Sequence, residues 1–389
     1  MQKKLDKKNF LTGVENFKKG NFHEAKNNFE EALLIHPENL SILENLALTH
    51  YNLKNLQDCE IILKKILKLD NKQKKIFNFL LKILREQDKV EELKKNIEEG
   101  LNNKIIDNKF SIIKNIIFPF INESNDEIKN CRNNTNKYLD NFLNSEKKIK
   151  LNIDNQSIDP PIFNYSYDQF DNLELNKKFI ALFKKIYPEL NKKINYSQKK
   201  NKKIKIGFIS EYFTNHTIAK LFKGSIFELD QNKFEIFIFH SHKTKKGKIF
   251  SEFLEKEINS NLKNIILPKL FNEKVEIIKK TNLDIVFYPD IGMSSELYFL
   301  TFLRFAKYQI ASLGHPVSTG NSNIDFFISF KKIEIENAQK FYSEKLILFE
   351  NLPYYYKPEI PLKLDEDEIN KQNIYSCPQT LFKIHPDFD

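Results

Sequence analysis

The chain has 389 residues, of which 41% are hydrophobic, and a formal net charge of +10. This length accommodates two or three domains, and the hydrophobic share excludes an intrinsically disordered chain. No window approaches the roughly 18 consecutive apolar residues of a membrane span. No apolar run follows the charged amino terminus, as it would in a signal peptide. We therefore expect a globular, cytoplasmic protein that does not insert into membranes.

The positive charge does not by itself predict a nucleic-acid partner. The longest basic cluster, Lys199 to Lys205, borders a predicted strand and lacks the interleaved aromatic residues that stack on bases. A solvated linker is the better interpretation. The cysteines, Cys59, Cys131 and Cys377, are far apart and match no metal-binding or redox spacing. Reduced thiols and no metal site are expected.

Residues 1–107 predict tetratricopeptide-like helical repeats with a period of 34 residues. The matching positions are Gly13, Ala25, Phe29, Ala32 and Pro37, then Ala47, Cys59, Leu63, Ile66 and Asn71, then Leu81, Leu93, Ile97 and Gly100. Small residues let paired helices approach, and the larger ones fill the groove between hairpins. A plain helical bundle is the alternative, but it would show no such register. Repeats of this kind predict a protein or peptide partner.

Residues 108–200 predict a helical and irregular connector packed on the following domain. The Pro160-Pro161 pair prevents a regular helix there. Phe163, Tyr165 and Tyr167 alternate as in a strand. A helix is predicted from about Leu175 to Ile186.

Residues 201–365 predict a Rossmann-like parallel α/β domain, because short apolar strands alternate with helices. Strands are expected at Ile204–Ser210, Phe234–Ser241, Leu262–Pro268, Leu283–Pro289, Tyr308–Leu313 and Ile324–Ser329. Helices are expected at Ala219–Phe227, Lys248–Ile258, Asn272–Lys280 and Ser295–Phe305. No glycine-rich dinucleotide fingerprint or P-loop motif occurs, which argues against those enzyme classes.

Three loops that follow predicted strands carry small and polar residues: Ser210 to Thr217, Tyr288 to Ser295, and Gly314 to Gly320. Because parallel strands end at one edge of a sheet, we expect these loops to converge on a ligand site. Two simpler interpretations remain open. Asn215 has the side chain of an ordinary helix cap, and His315 could be a hydrogen-bonded residue of an ordinary turn.

Four motifs, in this order, resemble the bacterial branch of the O-linked N-acetylglucosamine transferase family, which includes SPINDLY-like proteins. They are GFISEYFTNH, FYPDIGM, ASLGHPVSTGNSNIDFFIS and FYSEKLILFENLPYYY. The resemblance covers about residues 112–389. It implies a GT-B fold, of which residues 201–365 would be the amino-terminal half. It also implies an inverting, metal-independent transfer of a sugar from a UDP-sugar to a protein Ser/Thr (or Asn) side chain, with no cofactor beyond this donor substrate.

The resemblance also implies site residues. His216, with Asn215 beside it, matches an Asn-His motif and a proposed catalytic-base position. The other implied donor-binding residues are Gly292, Gly314, His315, Pro316, Thr319, Gly320, Gln379 and Lys383. Those from Gly314 to Gly320 match a Gly-(Tyr/His)-Pro loop near the sugar, and Lys383 matches a lysine that contacts the diphosphate. Gly292 lies in a segment where many relatives have Gly-His-Thr or Gly-Tyr-Thr.

Residues 366–389 match only the start of the family's second Rossmann domain, with its first strand expected at Asn373–Thr380. In the family that domain holds most of the UDP pocket. We therefore expect the isolated chain to bind UDP weakly and to turn over no UDP-sugar. The alternative is a non-enzymatic tetratricopeptide adaptor. The motifs do not distinguish N-acetylglucosamine from glucose, or Ser/Thr from Asn acceptors.

Overall fold

The computed structural model describes residues 2–194, 196, 202–259, 262–352, 377 and 379–388. The chain forms two compact units, Met1–Ile121 and Asn122–Asp389. No helix within the described ranges is both long and apolar enough to cross a membrane. The unit boundary follows residue 121, rather than residue 107 as predicted, because a short helix at Phe110–Ile116 packs on the last repeat.

The amino-terminal unit contains three helical hairpins. They are α1 (Gln2–Lys19) with α2 (Phe22–Ile35), α3 (Leu40–Asn52) with α4 (Leu56–Leu69), and α5 (Lys74–Glu86) with α6 (Val90–Asn102), followed by α7 (Phe110–Ile116). The residues of the 34-residue register from Gly13 to Ala32, and their equivalents in the next two hairpins, are buried between the helices. The repeat prediction is confirmed.

The turns inside the hairpins share one backbone conformation. Gly20, Lys54 and Asp88 have φ angles of 83°, 64° and 56°, in the left-handed region. These residues are 34 positions apart, so the left-handed turn recurs with the same period as the helices. Only Gly20 is a glycine, the residue that adopts this conformation most readily.

The carboxyl-terminal unit begins with the connector helices α8 (Asn125–Asn144), α9 (Ile162–Tyr165) and α10 (Leu173–Ile186). The predicted strand-like alternation at Phe163, Tyr165 and Tyr167 is wrong, because the chain makes a helical turn there. Phe163 contacts the ring of Tyr167 four residues later, with the centroids 5.8 Å apart, as neighbours on a helix do. In a segment this short, the spacing of the apolar residues does not distinguish a strand from one turn of helix.

Seven parallel strands form one sheet in the order β3-β2-β1-β4-β5-β6-β7. The strands are β1 (Ile204–Ile209), β2 (Phe234–His240), β3 (Leu262–Ile266), β4 (Ile285–Tyr288), β5 (Tyr308–Ser312), β6 (Phe326–Phe330) and β7 (Lys345–Phe349). The intervening helices are α11 (Thr217–Phe227), α12 (Ser251–Asn259), α13 (Phe271–Thr281) and α14 (Ser295–Tyr298). The predicted Rossmann-like parallel sheet is confirmed.

The structure differs from the prediction in two elements. β7 was not predicted. The helix expected at Ser295–Phe305 ends at Tyr298 and continues as a 3-10 turn, Phe299–Phe302. Its side chains from Leu297 to Phe302 are all buried, which a helix with one apolar face would not allow. Most of the strand expected at Asn373–Thr380 lies outside the described residues.

The described part of this unit has a core of isoleucine and phenylalanine between the sheet and α11 and α12. Phe213, Phe222, Ile238 and Phe253 are among its buried side chains. Each such side chain stabilises the fold by about 1.5–3 kcal/mol. This packing holds the strands, and therefore the loops at their carboxyl ends, in fixed positions.

Candidate functional site

The loops that follow β1 and β4 are joined by three consecutive side chains. Ser210 donates a hydrogen bond to the Asp290 carboxylate (2.8 Å), and the Tyr212 hydroxyl donates to the Met293 carbonyl (2.8 Å). Glu211, between them, accepts a hydrogen bond from the Ser294 hydroxyl. We call these three bonds the clasp. It exists because β1 and β4 are neighbours in the sheet and end at the same edge.

The third loop packs directly against the second. The Gly314 amide donates to the Pro289 carbonyl (2.8 Å), and a Cβ on Gly314 would lie 2.3 Å from that oxygen. Gly292 has a φ of +104°, and a Cβ there would lie 2.6 Å from Nδ1 of His315. Both glycines are therefore required by close approach of the backbone. The predicted convergence of the three loops is confirmed.

His216 is the amino-terminal cap of α11. Its Nδ1 accepts a hydrogen bond from the Ile218 amide (3.2 Å), while Asn215 is exposed and does not cap the helix. The cap is thus one residue later than the Asn215 interpretation placed it. A neutral imidazole that accepts at Nδ1 carries its proton on Nε2. Burial lowers the pKa of His216, which favours this neutral form.

His315 lies deeper in the site. Its ring is buried, its Nε2 is 3.1 Å from the Ser166 hydroxyl, and it stacks on Phe163 with the centroids 5.7 Å apart. Burial lowers the pKa of His315 to about 4, and the nearby charge of Lys383 acts in the same direction. His315 is therefore a neutral hydrogen-bonding group at physiological pH. His315 is thus a hydrogen-bonded residue of the turn, as the simpler interpretation has it. It also contacts the connector through Ser166 and Phe163.

The second half of the Gly314 to Gly320 loop is bonded within the fold. The Thr319 amide donates to Glu344 (2.8 Å), and the Thr319 hydroxyl donates to the same carboxylate. A Cβ on Gly320 would lie 2.8 Å from Cβ of Asn176 on α10. Thr319 and Gly320 are both buried, so the geometry gives them a supporting position rather than a free surface. Pro316, in contrast, is exposed.

The two predicted residues near the carboxyl terminus have different surroundings. The Lys383 ammonium lies 5.3 Å from the centre of the Tyr167 ring, and Phe382 packs on Phe163 (5.3 Å between centroids). Lys383 is therefore brought to the side of the connector that faces His315. Gln379 is exposed, and its side-chain oxygen accepts a hydrogen bond from the Thr380 amide (3.0 Å). It contacts none of the three loops within the described residues.

A buried carboxyl group lies under the loops. Asp290 is held by Ser210, and burial raises the pKa of Asp290 to about 7, with the charge of Glu211 adding to the effect. Beside it is a cavity of about 10 Å³, whose lining includes Tyr288 and Tyr298. The hydroxyls of both tyrosines are buried and have no hydrogen-bond partner among the described residues. The cavity has room for about one water molecule.

Several residues of the site were not singled out from the sequence. Tyr212 and Asp290 lie in the predicted loops, and their position after a strand was the available signal. Ser166 and Glu344 gave no such signal, because each contacts a residue that is distant in the sequence. Ser166 is 149 residues from His315, and Glu344 is 25 residues from Thr319. Contacts across such distances depend on the assembled sheet and connector.

Comparison with known proteins agrees with this fold. Residues 168–355 match the model of glycosyl transferase family 41, and residues 16–83 match that of the tetratricopeptide repeat. The fold is similar to a solved mutant of the Thermobaculum terrenum O-GlcNAc transferase, with a TM-score of 0.52 and 13% identity over 90% of this chain. No curated protein sequence matches the chain.

Part of the chain also matches a second solved structure, the first tetratricopeptide repeat domain of Spaghetti (RPAP3) bound to an HSP90 peptide. It has a TM-score of 0.25 and 20% identity, covering 28% of this chain and 88% of that one. The chain spans 58% of the length of the Thermobaculum terrenum transferase. Through residues 168–355, which follow the tetratricopeptide repeats, this chain is similar to glycosyl transferase family 41.

Proposed function

We propose that the protein transfers a sugar from a UDP-sugar to Ser/Thr (or Asn) side chains of a protein acceptor, by an inverting reaction without a metal. The repeats would bind the acceptor protein or peptide in the cytoplasm. The observation that carries the proposal is the convergence of three loops at the carboxyl edge of the sheet, with His216 at the start of α11. Ligands of open α/β sheets bind at this edge.

We assign His216 the role of a hydrogen-bond donor. Its Nδ1 is occupied by the Ile218 amide, so the nitrogen left for a substrate is Nε2, which carries the proton. Acting as a base would require a free lone pair on Nε2, and the proton would first have to move to Nδ1 and break the cap. A donor at this position would stabilise negative charge that develops on a reacting oxygen.

The leaving UDP also needs a positive group, and Lys383 is our candidate. Its ammonium is held against the Tyr167 ring, on the side of the connector where His315 lies. His315 is neutral and cannot supply this charge itself. A lysine that stabilises the diphosphate as the bond breaks would make a metal unnecessary. In this proposal Gly292 and Gly314 support the site by allowing the loops to approach.

A non-enzymatic adaptor is the second candidate. It is favoured by the internal bonding of the third loop, since Thr319 and Glu344 satisfy each other without a ligand. In that case the repeats would bind a partner and the α/β domain would serve as a scaffold. The two candidates differ in what they require. A transferase needs a donor sugar and an acceptor residue, whereas an adaptor needs only a binding partner.

The test is transfer by the 389-residue chain, and by a longer protein where its gene encodes one, with UDP-N-acetylglucosamine or UDP-glucose and co-expressed proteins. Mass spectrometry of the acceptors and release of UDP are measured. Where the gene encodes a longer protein, we expect that protein to transfer the sugar and the 389-residue chain alone not to. His216→Ala should lower transfer about 100-fold, because it removes a donor that a glutamine could replace. The exposed His23→Ala is the matched control.

Two outcomes would change these conclusions. Absence of transfer by the encoded protein, together with capture of a partner through the repeats, would favour the adaptor. Turnover by the 389-residue chain that disappears in His216→Ala would show that this chain is active alone.

A further inference from the structure

We propose that Tyr212 is the positioning residue for His216, holding the imidazole ring so that Nε2, with its proton, is the nitrogen presented to a substrate. The effect on sugar transfer rests on the proposed function. The placement of the ring does not, and it can be measured without any turnover.

The contact between the two rings is close. The ring centroids of Tyr212 and His216 are 4.5 Å apart, with an angle of 32° between the planes. A second contact is the hydrogen bond of 3.2 Å from the Ile218 amide to Nδ1. The second side-chain torsion of a histidine has a broad energy minimum, so one bond of this length leaves the ring free to rotate about that torsion. The tilted contact with the Tyr212 ring restricts that rotation.

Tyr212 is itself held at its far end. Its hydroxyl donates to the Met293 carbonyl (2.8 Å) in the loop after β4. Burial raises the pKa of Tyr212 to about 12, with the charges of Glu211 and Asp290 acting in the same direction, so the hydroxyl keeps the proton that it donates. The ring is thus fixed between a backbone carbonyl on one side and the imidazole on the other.

The other two bonds of the clasp show that Tyr212 is not needed merely to join the loops. Ser210 already bonds Asp290, and Glu211 already bonds Ser294. What Tyr212 adds is an aromatic face against His216. We therefore expect its loss to change the imidazole more than it changes the fold.

The test is the state of the His216 ring in the full chain, measured by nitrogen NMR at pH 8. Its signal among the eight histidines is assigned by its disappearance in His216→Gln. In the unmodified chain we expect one proton-bearing nitrogen, Nε2, and an unprotonated Nδ1. In Tyr212→Leu we expect the population of the other tautomer to grow at least about threefold, because the cap bond is no longer held in place.

Tyr212→Phe keeps the ring but removes the bond to Met293. We expect the population of the other His216 tautomer to grow in this variant too, but by less than in Tyr212→Leu. Tyr308→Leu is the control, because Tyr308 is partly exposed at the start of β5. Its His216 signal should match that of the unmodified chain, and circular dichroism checks that each variant is folded.

An unchanged tautomer ratio in folded Tyr212→Leu overturns the proposal. Should that variant fail to fold, an unchanged ratio in Tyr212→Phe has the same consequence. If the encoded protein transfers sugar, Tyr212→Leu should lower kcat about tenfold with little change in KM. A shifted tautomer in a protein without transfer would contradict the proposed function and leave the placement of the ring intact.

Discussion

Asp290 is a residue whose charge depends on the fold. Its carboxyl group is buried at the end of β4 with the Ser210 hydroxyl as its hydrogen-bond donor. Burial raises the pKa of Asp290 from its ordinary value of 3.8 to about 7. The folded protein therefore binds a proton there that the unfolded chain releases, and folding stability must fall as the pH rises from about 4 to 7.

We expect Asp290→Asn to remove this pH dependence. An asparagine cannot ionise, and its side-chain oxygen can still accept from Ser210. The variant should gain on the order of 1–3 kcal/mol relative to the unmodified chain between pH 4 and pH 8. Urea unfolding at several pH values measures the difference, with the exposed Asp159→Asn as control. Parallel pH profiles for the two proteins would contradict the raised pKa.

Two tyrosines offer a matched comparison of buried hydroxyls. The hydroxyl of Tyr298 has no partner among the described residues, whereas that of Tyr187 accepts from the Ile158 amide (2.8 Å) and donates to the Gln156 carbonyl (3.0 Å). Tyr187→Phe should cost about 1–3 kcal/mol of unfolding free energy, because two backbone groups lose their partner.

Tyr298→Phe should be neutral or stabilise the protein by up to about 1 kcal/mol, since it removes an unsatisfied polar group from the interior. Urea unfolding of both variants at pH 7 is the measurement. A loss above about 1 kcal/mol in Tyr298→Phe would show instead that a water molecule in the adjoining cavity bonds the hydroxyl.

The sequence predicted that the three loops meet better than it predicted the contacts that each residue makes there. Asn215 has the higher preference for a helix cap, but His216 takes that position, with its Nδ1 accepting from the Ile218 amide and its ring in contact with Tyr212. Thr319 lies in the predicted loop, yet its hydroxyl turns to Glu344. Such choices depend on partners that only the folded chain brings near.

Among the elements, the hairpins of the repeats are linked by a buried carboxylate. Glu60 on α4 accepts from Lys64 and Lys89 at 2.5 and 2.6 Å, and from Gln87 at 2.7 Å. Burial alone would raise the pKa of Glu60, but these hydrogen bonds outweigh it and lower the pKa to about 2. The resulting stability is present above the ordinary value of 4.5 and is lost as the pH falls toward 2.

We expect Glu60→Gln to destabilise the repeats by about 1–3 kcal/mol at pH 7, a range that allows for the partly exposed lysines. The difference should shrink as the pH falls below about 4, because the unfolded chain then binds a proton at Glu60 that the folded chain, with its lowered pKa, does not. Thermal unfolding followed by circular dichroism at pH 7 and pH 3 measures both effects. Glu91→Gln, which removes an exposed partner of Lys94, should change little. A constant difference at both pH values would contradict the lowered pKa.

The elements missed from the sequence share a physical cause. β7 is a strand of five residues whose burial pattern does not alternate cleanly. The segment from Leu297 to Phe302 is apolar at every position, so its periodicity favours no single structure. In both cases tertiary packing decides the conformation. The 34-residue repeat and the longer apolar strands were predictable because their patterns recur.

For the whole molecule, the sequence was enough to predict a helical repeat followed by a parallel α/β domain. Both follow from spacing alone: 34 residues in the first unit, and strand–helix alternation in the second. The division between the units was less predictable, because α7 continues the helical pattern of the repeats. The hypothesis of function came from four motifs, three of which include the loops that follow β1, β4 and β5.

The clasp has a consequence for how such proteins can be recombined. It joins residues that are 80 to 83 positions apart in the chain, one group after β1 and the other after β4. A chimera that inherited only the first loop from a relative would combine side chains that were never selected together. Exchange of specificity between members of the family should therefore succeed only when both loops are transplanted as one module.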